Sequence, residues 1–157
     1  MEIERKFLTE REKIPFDITA FPCMEITQAY ISFSPVIRIR RSNEAYILTV
    51  KGKGLLSREE FELPLEQEEY EALQKKAEGE SIVKKRWLIP LEGGLTAEVD
   101  FYEGPLNGLA TTEVEFSSLA EAEAFVPPEW FGRDVSREKR YKNAALARFG
   151  MPNKKEF

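Results

Sequence analysis

A period of two runs through most of this chain and limits its fold more than any other feature. In residues 1–8, MEIERKFL, alternation puts Glu2, Glu4 and Lys6 on one face of an extended strand and Ile3, Arg5 and Phe7 on the other. The pattern returns in VIRIRR, with Arg38 and Arg40 opposite Ile37 and Ile39, and in AYILTVK, with Thr49 and Lys51 opposite Val50. SREEFEL sets Arg58, Glu60 and Glu62 against Phe61 and Leu63, and SIVKKRWLI sets Lys84 and Arg86 against Val83 and Trp87. LTAEVDFY offers Glu98 and Asp100 against Val99 and Phe101, and ATTEVEF offers Glu113 and Glu115 against Val114 and Phe116. With the β-rich stretch MEITQAYISF (24–33), about eight strands emerge, joined by short connections. An antiparallel sheet follows.

Helical spacing is confined to three places. EQEEYEALQKKAEGE carries a narrow apolar stripe of Tyr70, Leu73 and Ala77, with Pro64 closing the strand before it and Gly79 as its stop. SLAEAEAF reads as a short helix and PPEWFG as a stiff loop. SREKRYKNAALARFG reads as a C-terminal helix with Ser136 as N-cap and Asp134 suited to its dipole. No linker divides the chain, so one domain over 1–157 is expected.

Composition removes several chemistries. There is no histidine and a single cysteine, Cys23, which excludes Ser-His-Asp and Cys-His catalysis, His- or thiolate-bound zinc and any internal disulfide. A metal here must sit on oxygen ligands: magnesium, manganese or calcium. The 28 acids against 23 bases lack the basic excess of a general nucleic-acid binder. No signal peptide or membrane span is visible, so a cytoplasmic protein without nucleic-acid or membrane partners is expected.

The charged face has two readings. It is the wet side of a one-sided sheet, or it lines something that binds charge. Neutral polar residues are scarce on it, and like charges stand two apart, segregated by strand. Such doublets repel and persist best where a ligand of opposite charge compensates them. If about eight strands close into a barrel, the charged face lines a lumen and the apolar face packs outward against helices. Basic strands would then hold a polyanion, and carboxylate strands the hard cations that bridge to it.

The EIERKFL start, VIRIRR, TVKG, SREEFEL, VKKR, AEVD, TEVEF and VSREKRYKNAALA together resemble the CYTH superfamily, the triphosphate tunnel metalloenzymes. Length, PPEWFG and DVSREKRYKN look most like its small bacterial inorganic triphosphatases. The resemblance implies a mainly-β α+β fold, an eight-stranded antiparallel closed barrel with flanking helices. It also implies hydrolysis of tripolyphosphate with Mg2+ or Mn2+, by a monomer or homodimer. By motif, Glu2, Glu4, Glu113 and Glu115 look like metal carboxylates, with Glu60, Glu62, Glu98 and Asp100 in the same acidic lining. Lys6, Arg38, Arg40, Lys51, Arg58, Lys84 and Arg86 look like phosphate ligands, and Lys139 and Arg140 are candidates for the tunnel mouth. Glu4 and Lys6 are the catalytic candidates, because without histidine the base is a Glu or a water activated by the metal.

Rival readings use the same tunnel or none. A class IV adenylate cyclase typically carries a longer N-terminal extension, whereas Met1 here directly precedes Glu2. A thiamine or nucleoside triphosphatase needs a ring platform that the sequence does not single out. A non-enzymatic polyphosphate-binding module predicts basic strands without paired carboxylates, and Glu-x-Glu and Glu-x-Asp are present.

Overall fold

The computed structural model describes residues 1–54 and 56–152. Among these, ten strands join one antiparallel sheet. They are β1 (Glu2–Thr9), β2 (Cys23–Phe33), β3 (Val36–Ser42), β4 (Ala45–Lys51), β5 (Ser57–Arg58), β6 (Glu60–Leu65), β7 (Glu78–Pro90), β8 (Thr96–Tyr102), β9 (Ala110–Glu115) and β10 (Phe131–Asp134). Neighbours run β10-β1-β9-β8-β7-β2-β3-β4-β6, and β5 returns to β1. Only Glu59 separates β5 from β6, so the two are halves of one bent stave. Because β6 pairs with β4 and β5 with β1, the sheet closes as a barrel of eight staves.

Closure rests on a short seam, Glu2 opposite Arg58 and Ile3 opposite Ser57. Further along, the same edge of β1 takes β10 instead, Phe7 opposite Asp134 and Thr9 opposite Phe131. Two residues of β10 stand against one of β1 there, a bulge that brings the backbones together. A Cβ on Gly132 would lie 2.5 Å from the Leu8 carbonyl oxygen. Gly132→Ala should therefore push β10 off β1 and cost about 1–3 kcal/mol, read as a lower urea midpoint at unchanged slope.

Three apolar clusters hold the barrel. Outside β1, β9 and β8, Phe7, Val99, Val114 and Phe131 pack under α2 (Leu119–Ala124) through Ala122. Outside β2, β3 and β4, Ala29 and Ile39 pack under Tyr70 of α1 (Gln67–Gln74). The third cluster lies inside: Leu8, Tyr30, Ile82 and Tyr102 turn inward at one end and meet Tyr141 and Leu146. Leu146 belongs to α3 (Asn143–Phe149), which packs on β2 and β7 and fills that end of the lumen.

Several local expectations change. The C-terminal helix starts at Asn143 after a 3₁₀ turn at Lys139–Tyr141, so Ser136 caps nothing. Its hydroxyl instead accepts the Lys6 backbone N–H at 2.9 Å. Pro64 lies within β6, opposite Ile47, because along this length β6 has only β4 as a partner and proline is tolerated on an edge. Gly79 lies inside β7 at φ +69, where a Cβ would meet the Ala147 carbonyl oxygen of α3 at 2.8 Å. PPEWFG gives its last two residues to β10.

Candidate active site

Strand register decides which charges meet. Cross-strand pairs share a face, so the pairing of Glu4 with Glu115 and Lys6 with Glu113 continues through Glu98 opposite Glu113 and Arg86 opposite Asp100. On the far wall Lys51 stands opposite Glu60 and Thr49 opposite Glu62. The inward face encloses a cavity of about 140 Å³. Fourteen of the eighteen described residues that line it are acidic or basic, seven acids and seven bases.

Glu2, Glu4 and Glu115 each bring a carboxylate oxygen within 4.8 Å of the others. Burial first, then the charges of Glu113 and Glu2, push Glu4 up to about 8. Burial and the neighbouring Glu2 and Glu113 also raise Glu115. Burial opposes ionisation of Glu2 too, but Lys51, at 2.9 Å, leads the groups that hold it below the usual carboxylate range. Glu60 rises to about 8 through burial and its hydrogen bonds with Glu2 and Glu62. An all-carboxylate donor set whose members repel one another fits a hard divalent cation.

Lys51 and Arg58 touch this cluster through Glu2, at 2.9 and 3.5 Å, whereas Arg38 and Arg40 make no ion pair with it among the described residues. Arg38, Arg40 and Arg86 line the wall with Lys6, Lys51, Arg58 and Lys142. Arg40 donates Nε to Gln28 Oε1 at 3.1 Å, and burial, then Arg38 and Arg86, lower its pKa to about 10. Arg38 Nε is buried with no acceptor among the described residues. Clustered guanidiniums with an orphaned donor suit an anion with several oxygens.

Arg86 is held differently. It meets Asp100 through two bonds of 2.7 and 2.9 Å, Glu98 at 2.9 Å and Glu113 at 3.8 Å. Burial opposes its charge, and these carboxylates overcome it. Glu98 pays for its burial with a pKa raised to about 7 despite Arg86. Lys6 Nζ donates to the Tyr141 carbonyl oxygen at 2.6 Å and lies 3.4 Å from Glu113 Oε1.

Four expected site residues lie elsewhere. Lys84 and Asp100 share the inward face but sit beneath the cavity wall, fully buried and 2.7 Å apart. Burial pulls the Lys84 pKa down to about 7, a shift that Asp100 beside it opposes. Lys139 and Arg140 are exposed and outside the cavity lining, Arg140 pairing with Glu138 at 2.6 Å. The tail contributes Lys142 and Asn143 instead, and β2 contributes Tyr30, whose position two residues from Gln28 on a strand was the signal available. Lys142 lies near Glu4, Lys6 and Arg58, with burial first lowering its pKa.

The sequence pattern of the CYTH domain matches residues 1–149. An inorganic triphosphatase of Nitrosomonas europaea is 38% identical over 154 residues, 93% of this chain and 96% of that protein. One from Acetivibrio thermocellus is 34% identical over 160 residues, 99% of this chain and 98% of that protein. The crystal structure of the inorganic triphosphatase NE1496 superposes with a TM-score of 0.70 at 34% identity, covering 98% of this chain and 97% of that one.

Proposed function

This chain belongs to the CYTH domain family, and from that premise we propose that it hydrolyses inorganic triphosphate to pyrophosphate and phosphate with the help of Mg2+ or Mn2+. The observation that carries this reading is one cavity in which the carboxylates of Glu2, Glu4 and Glu115 face the guanidiniums of Arg38, Arg40 and Arg86. Tyr30 is the only ring in its lining among the described residues, and it is 2% exposed and stacked on Phe33. A bare phosphate chain is better served than one bearing a base or a thiazole.

Glu2, Glu4 and Glu115 would hold the cation, with Glu60 and Glu62 beside them. When bound, it would supply charge neutralisation on phosphate oxygens and acidify water. Arg38 and Arg40 fork onto phosphate oxygens, and Lys51, Arg58 and Lys142 neutralise the rest of the chain's charge. Arg86, already bonded to carboxylates, presents a fixed positive edge with little freedom to move. Lys6 stands between Glu113 and the Tyr141 carbonyl, beside the carboxylate cluster, where its ammonium can orient water toward the terminal phosphorus. Glu113, Glu98 and Asp100 hold these bases in place, and Lys84 supports Asp100 from beneath. No helix among the described residues is long and apolar enough to cross a membrane, and the lone cysteine suits a reducing cytoplasm.

A phosphate-release panel tests the reading: tripolyphosphate, ATP, thiamine triphosphate and long-chain polyphosphate, each with magnesium, manganese or chelator. Tripolyphosphate should turn over fastest, and chelator should abolish the signal. Cyclic AMP formed from ATP would favour the cyclase instead. No turnover of any substrate removes the hydrolase.

A further inference from the structure

We infer that Ser136 is a positioning residue for Lys6, an inference that rests on the hydrolase reading above. Lys6 occupies a gap in the pairing of β1. Its edge is served by β5 at residues 2–3 and by β10 at residues 7 and 9, and in between no strand among the described residues pairs with it. Two groups from the chain just after β10 fill the gap. The Ser136 hydroxyl accepts the Lys6 N–H at 2.9 Å, and the Val135 N–H donates to the Lys6 carbonyl at 2.8 Å.

The hydroxyl is itself fixed. Its one proton goes to Asp134 Oδ1 at 2.5 Å rather than to the Lys6 carbonyl at 3.3 Å, and the same Oδ1 accepts the Ser136 N–H at 2.8 Å. The other carboxylate oxygen accepts from Arg5 Nη2 at 2.9 Å, and Arg5 is tied by Nη1 to the Ala122 and Phe125 carbonyls at 3.0 and 2.9 Å. Only a group that accepts a backbone N–H while donating to a carboxylate completes this line, and Ser136 is 4% exposed, so water does not stand in easily.

The same segment grips Lys6 a second time, because the Tyr141 carbonyl accepts its ammonium at 2.6 Å. Backbone and side-chain tip are thus both fastened to residues 135–141, and Ser136 is the nearer fastening. Without its hydroxyl the Lys6 N–H is buried and unmet, and the ammonium loses its fixed distance from Glu113. Arg38 and Arg40 lie on another stave and keep their own partners, so substrate capture is spared.

The test compares Ser136→Ala, Ser136→Thr and Leu73→Ala, the last a trim of the α1 packing that lowers stability in a cluster holding no β1 residue. Ser136→Ala should lose on the order of 10- to 100-fold in kcat for tripolyphosphate, as expected for a misplaced reacting group. Its KM, and its calorimetric affinity for tripolyphosphate in chelator, should stay within about twofold of wild type. Ser136→Thr should recover most of kcat, and Leu73→Ala should keep kcat while melting lower. Wild-type kcat in folded Ser136→Ala, or an equal kcat loss in Leu73→Ala, overturns the inference and leaves the hydrolase standing. An inactive wild-type protein overturns both.

Discussion

Glu4→Gln should abolish tripolyphosphate hydrolysis, a fall of at least about 10³-fold in kcat/KM, while leaving the barrel folded. Glu4 is 9% exposed and shares a 4.8 Å cluster with Glu2 and Glu115, so its carboxylate is an expensive group to bury and has no packing role that an amide cannot fill. The folded protein holds its pKa at about 8, against an ordinary 4.5. The folded state therefore binds the extra proton between those values, and Glu4 progressively destabilises the fold as pH rises through that window. Glutamine resembles the protonated acid and removes that slope. Chemical denaturation at pH 5 and pH 9 should show the variant equal to wild type at the lower pH and more stable at the higher. Loss of activity without loss of stability marks a group kept for function. An active, folded Glu4→Gln would take Glu4 out of the site.

Much of this arrangement is legible before any coordinates, for a reason that is local. Alternation assigns each charge to a face, and like charges at Arg38 and Arg40 or at Glu113 and Glu115 make that face hard to explain as a solvent edge. Face does not give depth. Lys84 and Arg86 are indistinguishable by alternation, yet two residues along β7 carry Lys84 beneath the wall, where Asp100 and Tyr102 of β8 cover it. The tail shows the opposite limit. A continuous helix from Ser136 would project Lys139 and Arg140, but the backbone breaks into a 3₁₀ turn because β1 needs partners for Lys6. That long-range demand brings Lys142 inward and leaves no trace in the periodicity of residues 136–150. β10 is hidden for the same reason, since its four residues become a strand only against the bulged end of β1.

Arg86→Ala should cost both stability and turnover, and its contrast with Arg38→Ala separates two kinds of arginine on one wall. Arg86 neutralises Asp100, Glu98 and Glu113 at once, and its side chain is 6% exposed. Removing it leaves buried Asp100 and Glu113 and partly buried Glu98 to repel one another, and breaking such a pairing costs about 3–5 kcal/mol. Part of that loss reappears as protonation, so Arg86→Ala should recover stability as pH is lowered toward 5. Arg38 bonds to Thr49 at 3.4 Å, lies beside the Tyr30 hydroxyl and crowds Arg40, whose pKa it helps to lower. Arg38→Ala should then melt no lower than wild type, yet lose about one to two orders of magnitude in kcat/KM through the missing phosphate contacts, each such charge-assisted bond contributing ~1.5–3 kcal/mol. Urea titrations and tripolyphosphate kinetics on both variants read the two axes. Equal destabilisation by both would mean that the arginines form one structural network, and the division of the wall into an anchored base and a ligand-facing pair would fall.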